Sequence, residues 1–284
     1  MNLGATLKKR FEDKDILLSV GIYDALSARI VTSAGAPSIY ITGYGAAASY
    51  LGMPDIGLLS FGEMIDHVRR TASSVNVPVI ADADTGYGGP ANVWRTVREY
   101  EAAGVDLIQL EDQMWPKRCG HMEGKQLVPP EEMISRIRVA AQARRSPDFL
   151  IMARTDAIAV EGFEAALDRA ARYREAGADV LFIEAPRTVE QMAEIPKRID
   201  APLLANMVEG GKTPFLSVAE LQELGYAIAI FPISTLLAAT RAVQNTVRAL
   251  VETGSTKGLE KNLANFPEFN ELIDLKTYLE ISEL

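Results

Sequence analysis

The sequence contains only one cysteine, Cys119, so the chain has no partner for an internal disulfide bond. This scarcity excludes a disulfide-rich secreted domain and predicts a protein of the reducing cytoplasm. The sequence also lacks an uninterrupted apolar run of the about 18 residues that a membrane-spanning helix needs. The start of the chain lacks the apolar stretch of a secretory signal peptide. We therefore expect neither a membrane span nor a membrane partner.

The sequence has fewer positively charged residues than negatively charged ones. The 29 Lys and Arg residues are outnumbered by 38 Asp and Glu residues, which gives a net charge of −9 at pH 7. A negative field repels phosphate backbones, so nucleic acid is excluded as a partner. The hydrophobic content of 48% and charged content of 24% are those of an ordinary globular protein and exclude a disordered chain.

Short apolar segments alternate with amphipathic ones along the chain, and Gly-containing turns such as Ala103-Gly104 and Ala176-Gly177 often lead back to the next apolar segment. The apolar segments are nearly continuous, which is typical of parallel strands covered on both faces. Helical patterns lie between them, for example at 90–103 and 131–143. The predicted strands are 17–23, 38–42, 78–82, 105–111, 149–154, 179–184, 202–206 and 226–231.

Eight strands joined by helices predict a single (β/α)8 barrel of the α/β class. The alternative is a doubly wound open sheet, which usually carries a Gly-rich phosphate loop after its first strand. The segment from Gly21 to Asp24 is not such a loop. No linker or low-complexity segment divides the chain, so we expect one domain over 1–284. We also expect a lead-in helix within 1–16 and a helical tail from about residue 256.

Polar side chains follow the predicted strands where those strands end, and this edge carries the active site of such barrels. Asp82 and Asp84 end the third strand, Glu111 the fourth and Arg154 the fifth, while Glu184 and Asn206 end the next two. A helix-capping role explains any single one of them equally well. The recurrence at five strand ends favours a site. Carboxylate oxygens without a nearby Cys/His cluster predict Mg²⁺, with Mn²⁺ as the alternative, and an Arg predicts a carboxylate or phosphate ligand.

The segment 113–128 is a long loop with no strand or helix pattern, which is typical of an active-site lid. It contains Lys117-Arg118-Cys119-Gly120-His121. A lone cysteine is usually a small buried hydrophobe, but cationic neighbours lower the pKa of a thiol and suit it to proton transfer. The other histidine, His67, lies in a helix pattern and is expected to be structural.

This cysteine loop, together with Ala81-Asp-Ala-Asp-Thr-Gly-Tyr-Gly88 and Glu111-Asp-Gln113, resembles the isocitrate lyase and phosphoenolpyruvate mutase superfamily. The likeness extends from about residue 5 to 270. It includes Tyr40-Ile-Thr-Gly43 and Met152-Ala-Arg-Thr-Asp156 in the same order. The resemblance implies a Mg²⁺-dependent enzyme and a helix-swapped oligomer, usually a homotetramer.

The resemblance also implies roles for individual residues. Asp82, Asp84 and Glu111 match the Mg²⁺ shell, which acts partly through bound water. Cys119 matches the general acid of the lyases, Tyr40 the candidate base and Asp55 an acidic residue beside the substrate. We expect Lys117 and His121 to meet substrate carboxylates as the lid closes. The implied substrate-binding residues are Thr42, Gly43, Tyr44, Gly120, Arg154, Glu184 and Asn206.

The resemblance implies a small di- or tricarboxylate substrate. Methylisocitrate lyases carry an Arg where Leu237 stands here, and the segment from Asn206 to Pro214 is more similar to that of dimethylmalate lyases and carboxyphosphonoenolpyruvate mutases. We therefore expect a carbon–carbon lyase for a dimethylmalate-like 2-hydroxydiacid, which yields a 2-oxo acid and a carboxylate. The alternatives are 2-methylisocitrate cleavage, phosphono transfer of the mutase type, and an oxaloacetate-type hydrolase or decarboxylase.

Overall fold

The structure is a computed structural model that describes residues 3–118, 120 and 123–284. Eight parallel strands form a closed barrel in chain order, and the last strand pairs with the first. The predicted (β/α)8 barrel is confirmed, and each predicted strand is correct to within two residues at either end. The strands are β1 Leu17–Ile22, β2 Ile39–Ile41, β3 Val79–Asp82, β4 Leu107–Glu111, β5 Leu150–Thr155, β6 Val180–Ile183, β7 Leu203–Asn206 and β8 Ile228–Phe231.

Helices follow the strands and cover the barrel. The predicted lead-in helix is present as α1, and the predicted helical tail is present as a 3₁₀ turn at Glu260–Asn262 followed by α12 and α13. The helices are α1 Leu3–Glu12, α2 Ala25–Ser33, α3 Gly43–Ala46, α4 Phe61–Ala72, α5 Pro90–Ala102, α6 Pro130–Ala143, α7 Ala157–Val160, α8 Phe163–Glu175, α9 Val189–Arg198, α10 Val218–Leu224, α11 Ser234–Thr253, α12 Phe266–Leu272 and α13 Leu275–Ser282. Within the described ranges, no helix has the length and apolar character to cross a membrane.

The core has two parts. One lies between the strands and the surrounding helices, and the other fills the barrel interior with side chains such as Ile80, Leu107 and Phe182. Leu7 of α1 belongs to the interior cluster and is fully buried. Helix α1 therefore covers the barrel where its strands begin, since Gly4 also packs against the backbone of Asp148 just before β5. Helix α1 does not cover the opposite end of the barrel, where the strands end, and this end is available for a functional site.

Candidate functional site

A cavity of about 270 Å³ opens at the carboxyl ends of the strands. The loop after β4 supplies Lys117 and Gly120 to its wall, and β8 with its following loop supplies Ile230 and Ile233. Of the predicted site residues that the structure describes, all but Gly43 and Asp84 line this cavity; these are Tyr40, Thr42, Tyr44, Asp55, Asp82, Glu111, Lys117, Gly120, Arg154, Glu184 and Asn206. Cys119 and His121 lie outside the described residues.

Gly43 and Asp84 lie beside the cavity. Strand β3 ends at Asp82, and Asp84 follows in a turn with a φ of 48°. The backbone N–H of Asp84 donates to Asp82 Oδ1 over 3.0 Å. A Cβ at Gly43 would lie 2.7 Å from Asp82 Oδ2 and 3.5 Å from Asp84 Oδ1. The two carboxylates therefore converge over a position where only glycine fits.

Lys117 lies between two of the acidic side chains. Its Nζ is 2.6 Å from Asp55 Oδ1 and 2.7 Å from Asp84 Oδ1, and the side chain is buried. Burial alone would lower the pKa of Lys117, but the charges of Asp84 and Asp55 raise it well above its usual value. Lys117 is therefore a fixed positive charge inside the acidic cluster.

Gln109 of β4 was not among the predicted site residues, yet it joins two of them. Its Nε2 donates to Asp82 Oδ1 over 3.2 Å, and its Oε1 accepts from the Tyr40 hydroxyl over 3.0 Å. Burial, with the charge of Asp82, raises the pKa of Tyr40 well above its usual value. The Tyr40 hydroxyl donates a hydrogen bond to Gln109. The polar residue in an otherwise apolar strand was the signal that could have identified Gln109.

The acidic residues suit a hard divalent cation. Burial raises the pKa of Asp84 to about 6 and that of Glu111 well above its usual value, because buried carboxylates lose hydration. Glu111 Oε1 is buried and has no hydrogen-bond partner among the described residues. Oxygen donors of this kind are the ligands that Mg²⁺ prefers. In the described part of the chain, no group of three acidic, His or Cys side chains is already arranged as a metal site, but the donors present fit Mg²⁺ chemically.

Arg154 forms the positive wall of the cavity. Its Nε donates to Asp156 Oδ2 over 2.9 Å and its Nη2 donates to Asp156 Oδ1 over 3.1 Å. Glu111 and Glu184 lie 3.4 and 3.5 Å from the guanidinium, which also stacks on the ring of Phe182. This bidentate hold and the ring contact fix the plane of the guanidinium.

Asp156 directly follows β5 and is not among the predicted site residues. Burial alone would raise its pKa, but the charges of Arg154 and Lys125 lower it to about 2. Behind it, the buried carboxylate of Asp112 accepts hydrogen bonds from the Asp156 backbone N–H and from the Thr155 and Tyr173 hydroxyls. A buried, fully ionised Asp156 is therefore held in place from two sides.

The end of the cavity near β7 carries the side-chain amide of Asn206. Asn206 Nδ2 donates to Glu184 Oε2 over 3.1 Å. Its Oδ1 is buried and has no partner in the described part of the chain. Thr42 lies across the cavity at the start of α3, where its side chain caps the short helix. These groups can take up a polar ligand beside Arg154.

The predicted lid lies against the site. Its two ends run alongside each other, with a bridge between Gln113 and Leu127 and a 2.8 Å hydrogen bond from the N–H of Met114 to the carbonyl of Gln126. A Cβ at Gly120 would lie 2.3 Å from Arg154 Nη2. The loop backbone thus packs directly on the guanidinium.

The family follows from the sequence as a whole. The profile of the family described as phosphoenolpyruvate phosphomutase matches residues 7–251. The chain belongs to this family. This confirms the resemblance drawn from the cysteine loop and the acidic strand ends.

Members of the family are similar to this chain over almost its entire length. The 2,3-dimethylmalate lyase of Eubacterium barkeri is 46% identical over 99% of this chain and 97% of that protein. The 2-methylisocitrate lyase of Aeropyrum pernix is 44% identical over 97% of this chain and 88% of that protein.

Two solved structures extend the likeness to the fold. A crystal structure of 2,3-dimethylmalate lyase, described as a PEP mutase/isocitrate lyase superfamily member, has a TM-score of 0.93 and 38% identity over 98% of this chain and 94% of that chain. Phosphonopyruvate hydrolase in complex with oxalate and Mg²⁺ has a TM-score of 0.90 and 30% identity over 100% of this chain and 99% of that chain.

Proposed function

We propose that this chain is a Mg²⁺-dependent carbon–carbon lyase that cleaves a 2-hydroxydicarboxylate of the dimethylmalate type. The observation that carries the proposal is the cavity of about 270 Å³, which is lined both by the Arg154 guanidinium and by the carboxylates of Asp82 and Glu111. Such a cavity has room for a small diacid and a cation. The 46% identity to a 2,3-dimethylmalate lyase supports this choice of substrate class.

The reaction breaks the bond between C2 and C3 of the substrate. The C2 hydroxyl loses its proton and becomes the carbonyl of a 2-oxo acid, which is pyruvate when C2 carries a methyl group. The electron pair of the broken bond stays with C3 and forms the enolate of the second carboxylate. A proton added to C3 completes the products, so no oxidant or reductant is needed.

We assign the two proton transfers to Tyr40 and Cys119. Tyr40 is the candidate base for the C2 hydroxyl, and the charges of Arg154 and Lys117 act to lower its raised pKa. Cys119 is the candidate acid that protonates C3. His121 follows it closely in the sequence and is assigned to a substrate carboxylate. Asp55 holds Lys117 through an ion pair, and Lys117 places positive charge beside the reacting oxygen.

The substrate carboxylates are assigned to Arg154 and to the segment Thr42, Gly43 and Tyr44. Asn206, whose Oδ1 has no partner among the described residues, completes the pocket together with Glu184 and Gly120. Asp82, Asp84 and Glu111 would hold Mg²⁺, or Mn²⁺ in its place. The bound cation would neutralise negative charge on the C2 oxygen and its carboxylate.

A panel of substrates tests this function. The purified chain with Mg²⁺ is incubated separately with 2,3-dimethylmalate, 2-methylisocitrate, oxaloacetate and phosphonopyruvate, and the products of each reaction are identified by NMR. We expect the highest kcat/KM with dimethylmalate and loss of turnover in Arg154→Gln, with the exposed Arg95→Gln as the matched control. A chain that cleaves neither 2,3-dimethylmalate nor 2-methylisocitrate would contradict the proposal.

Phosphono transfer on an enolpyruvate is the second candidate, because the family is described by that activity and the same Arg and acidic residues would suit its substrate. Cys119 distinguishes the two reactions. A mutase forms no carbanion that needs a proton, so Cys119→Ser would leave mutase turnover largely intact, whereas it would abolish the lyase.

We also propose that the chain works as a helix-swapped homotetramer in the cytoplasm. Helix α11 has no buried residue, and it exposes Val243, Val247 and Val251 at helical spacing. The tail adds exposed Phe266 and Tyr278. Apolar surface of this extent is typical of an interface. Light scattering after gel filtration is expected to give four chains, whereas a single chain would contradict the assembly.

A further inference from the structure

Lys125 is a buried lysine in the loop after β4, and its ammonium group joins two parts of the site. Lys125 Nζ lies 2.8 Å from Asp156 Oδ1, and both side chains are almost fully buried. The same Nζ donates to the carbonyl oxygen of Gly120. A lysine in a loop is normally solvated, so burial of this one requires compensating partners.

Asp156 links Lys125 to the substrate cavity. Both of its carboxylate oxygens accept from Arg154, over 2.9 and 3.1 Å. Gln113 Nε2 adds a longer contact of 3.4 Å to Oδ2. Asp156 therefore fixes the guanidinium of Arg154 and the ammonium of Lys125 in one arrangement.

Gly120 is the point at which the loop meets Arg154. A Cβ there would lie 2.3 Å from Arg154 Nη2 and 2.9 Å from the Glu184 carboxyl carbon. The Gly120 backbone therefore lies directly against the guanidinium, and its carbonyl is the group that Lys125 holds. Gly120 follows Cys119 directly in the sequence.

We propose that Lys125 is a positioning residue that ties the Gly120 backbone to the Asp156–Arg154 pair. The loop is thereby held in a fixed position relative to the Arg154 guanidinium. This inference rests on the proposed function only in giving Arg154 a substrate carboxylate. Lys125 does not line the cavity, and it acts through Gly120 and Asp156 rather than on the substrate.

The same loop carries a second lysine contact that serves as a control. Lys212 Nζ lies 2.8 Å from Glu123 Oε1, but Glu123 is almost fully exposed. Exposed ion pairs contribute little to structure. Lys212→Met therefore removes a positive charge near the loop together with an ion pair to an exposed carboxylate.

The test uses the chain's only thiol as a reporter, since Cys119 adjoins Gly120. Alkylation of Cys119 by iodoacetamide is timed in wild type, Lys125→Met, Lys125→Arg and Lys212→Met, with and without Mg²⁺ and oxalate. Thermal unfolding checks that each variant is folded. This readout does not require turnover, so it remains informative even if no 2-hydroxydiacid is cleaved, which would be the failure of the proposed function.

We expect alkylation of Lys125→Met to be at least about tenfold faster than wild type, with protection by Mg²⁺ and oxalate lost. We expect Lys125→Arg to be intermediate, because it keeps the charge opposite Asp156, and Lys212→Met to match wild type. On the preferred diacid, kcat should fall more than KM rises. If Lys125→Met does not fold, the test relies on Lys125→Arg. Alkylation of Cys119 that is severalfold faster in this variant than in wild type would support the proposal. The proposal would be overturned if a folded Lys125 variant were alkylated at the wild-type rate and protected by Mg²⁺ and oxalate as wild type is.

Discussion

Arg154 and Asp156 face one another through two parallel hydrogen bonds of 2.9 and 3.1 Å, two residues apart at the end of β5. Asp156 is fully buried and Arg154 is 8% exposed. Arg154 of this pair also lines the cavity. The pair explains why burial does not neutralise Asp156, whose pKa is held at about 2 by Arg154 and Lys125.

Asp156→Asn is expected to weaken both substrate binding and folding. Loss of the buried negative charge leaves Arg154 and Lys125 without their main partner, and breaking such a pair costs about 3–5 kcal/mol. We expect KM to rise and the urea midpoint to fall. Asp168→Asn is the control, because Asp168 is exposed and lies 3.9 Å from its Arg partner. An Asp156→Asn protein with the wild-type KM and midpoint would refute this role.

Gly120→Ala is expected to lower kcat/KM by about 100-fold, because a displacement of about 1 Å at a reacting group has an effect of that size. The added methyl group would lie 2.3 Å from Arg154 Nη2, so either the loop or the guanidinium must move. Gly62→Ala is the matched control, since a Cβ there meets nothing closer than 4.0 Å. Equal kcat/KM values for the two variants would show that Gly120 is not confined.

His67 is expected to make the protein less stable in acid. Burial lowers its pKa below the usual value, so the folded state disfavours its charged form. The unfolded chain takes up the proton at a pKa of about 6.5. His67 therefore does not reduce the free energy of unfolding above that pH. Below it, the free energy of unfolding falls as the pH drops towards the folded pKa of His67, with a limiting slope of about 1.4 kcal/mol per pH unit.

The variant His67→Phe isolates this effect. It keeps an aromatic ring against Tyr50 and removes the buried Nε2, which has no partner in the described ranges. Urea unfolding at pH 7.5 and 5.5 should show that the free energy of unfolding falls less for the variant than for wild type between these two pH values. Because all other groups titrate in both proteins, an equal loss would mean that His67 is not the cause.

Leu7→Ala is expected to destabilise the fold by about 2–5 kcal/mol, the usual cost of emptying a buried leucine site. Leu7 is fully buried among the interior residues of the barrel, so its loss opens a cavity below the strands. The comparison variant is Leu26→Ala, whose side chain is 40% exposed. Similar free energies of unfolding for the two variants would argue against α1 as the cover of the barrel.

The barrel could be predicted because eight apolar segments with glycine turns carry their own local signal. The acidic edge could be predicted for the same reason, since Asp82 and Glu111 each end an apolar run. Asp84 was expected to end the same strand as Asp82, but β3 ends at Asp82. They converge through a turn with positive φ at Asp84 rather than along the strand.

Residues that act through long-range folding of a loop could not be predicted. Lys125 lies in a polar segment where a lysine is usually solvated, and no sequence period indicates that it folds back onto Asp156, 31 positions away. For Lys117, a predicted site residue, the sequence could not indicate its ion pairs with Asp55 and Asp84, which lie in two other loops. Such contacts depend on the closed barrel, which brings distant strand ends together.

Cleavage of 2,3-dimethylmalate in D₂O tests the central claim most directly. The purified chain with Mg²⁺ is incubated with the diacid, and the products are followed by proton NMR. A carbon–carbon lyase is expected to release one pyruvate and one propanoate per substrate, and the propanoate should carry one deuterium at the former C3. Cys119→Ser should release neither product. Absence of both products with wild type, or propanoate without deuterium, would contradict the account.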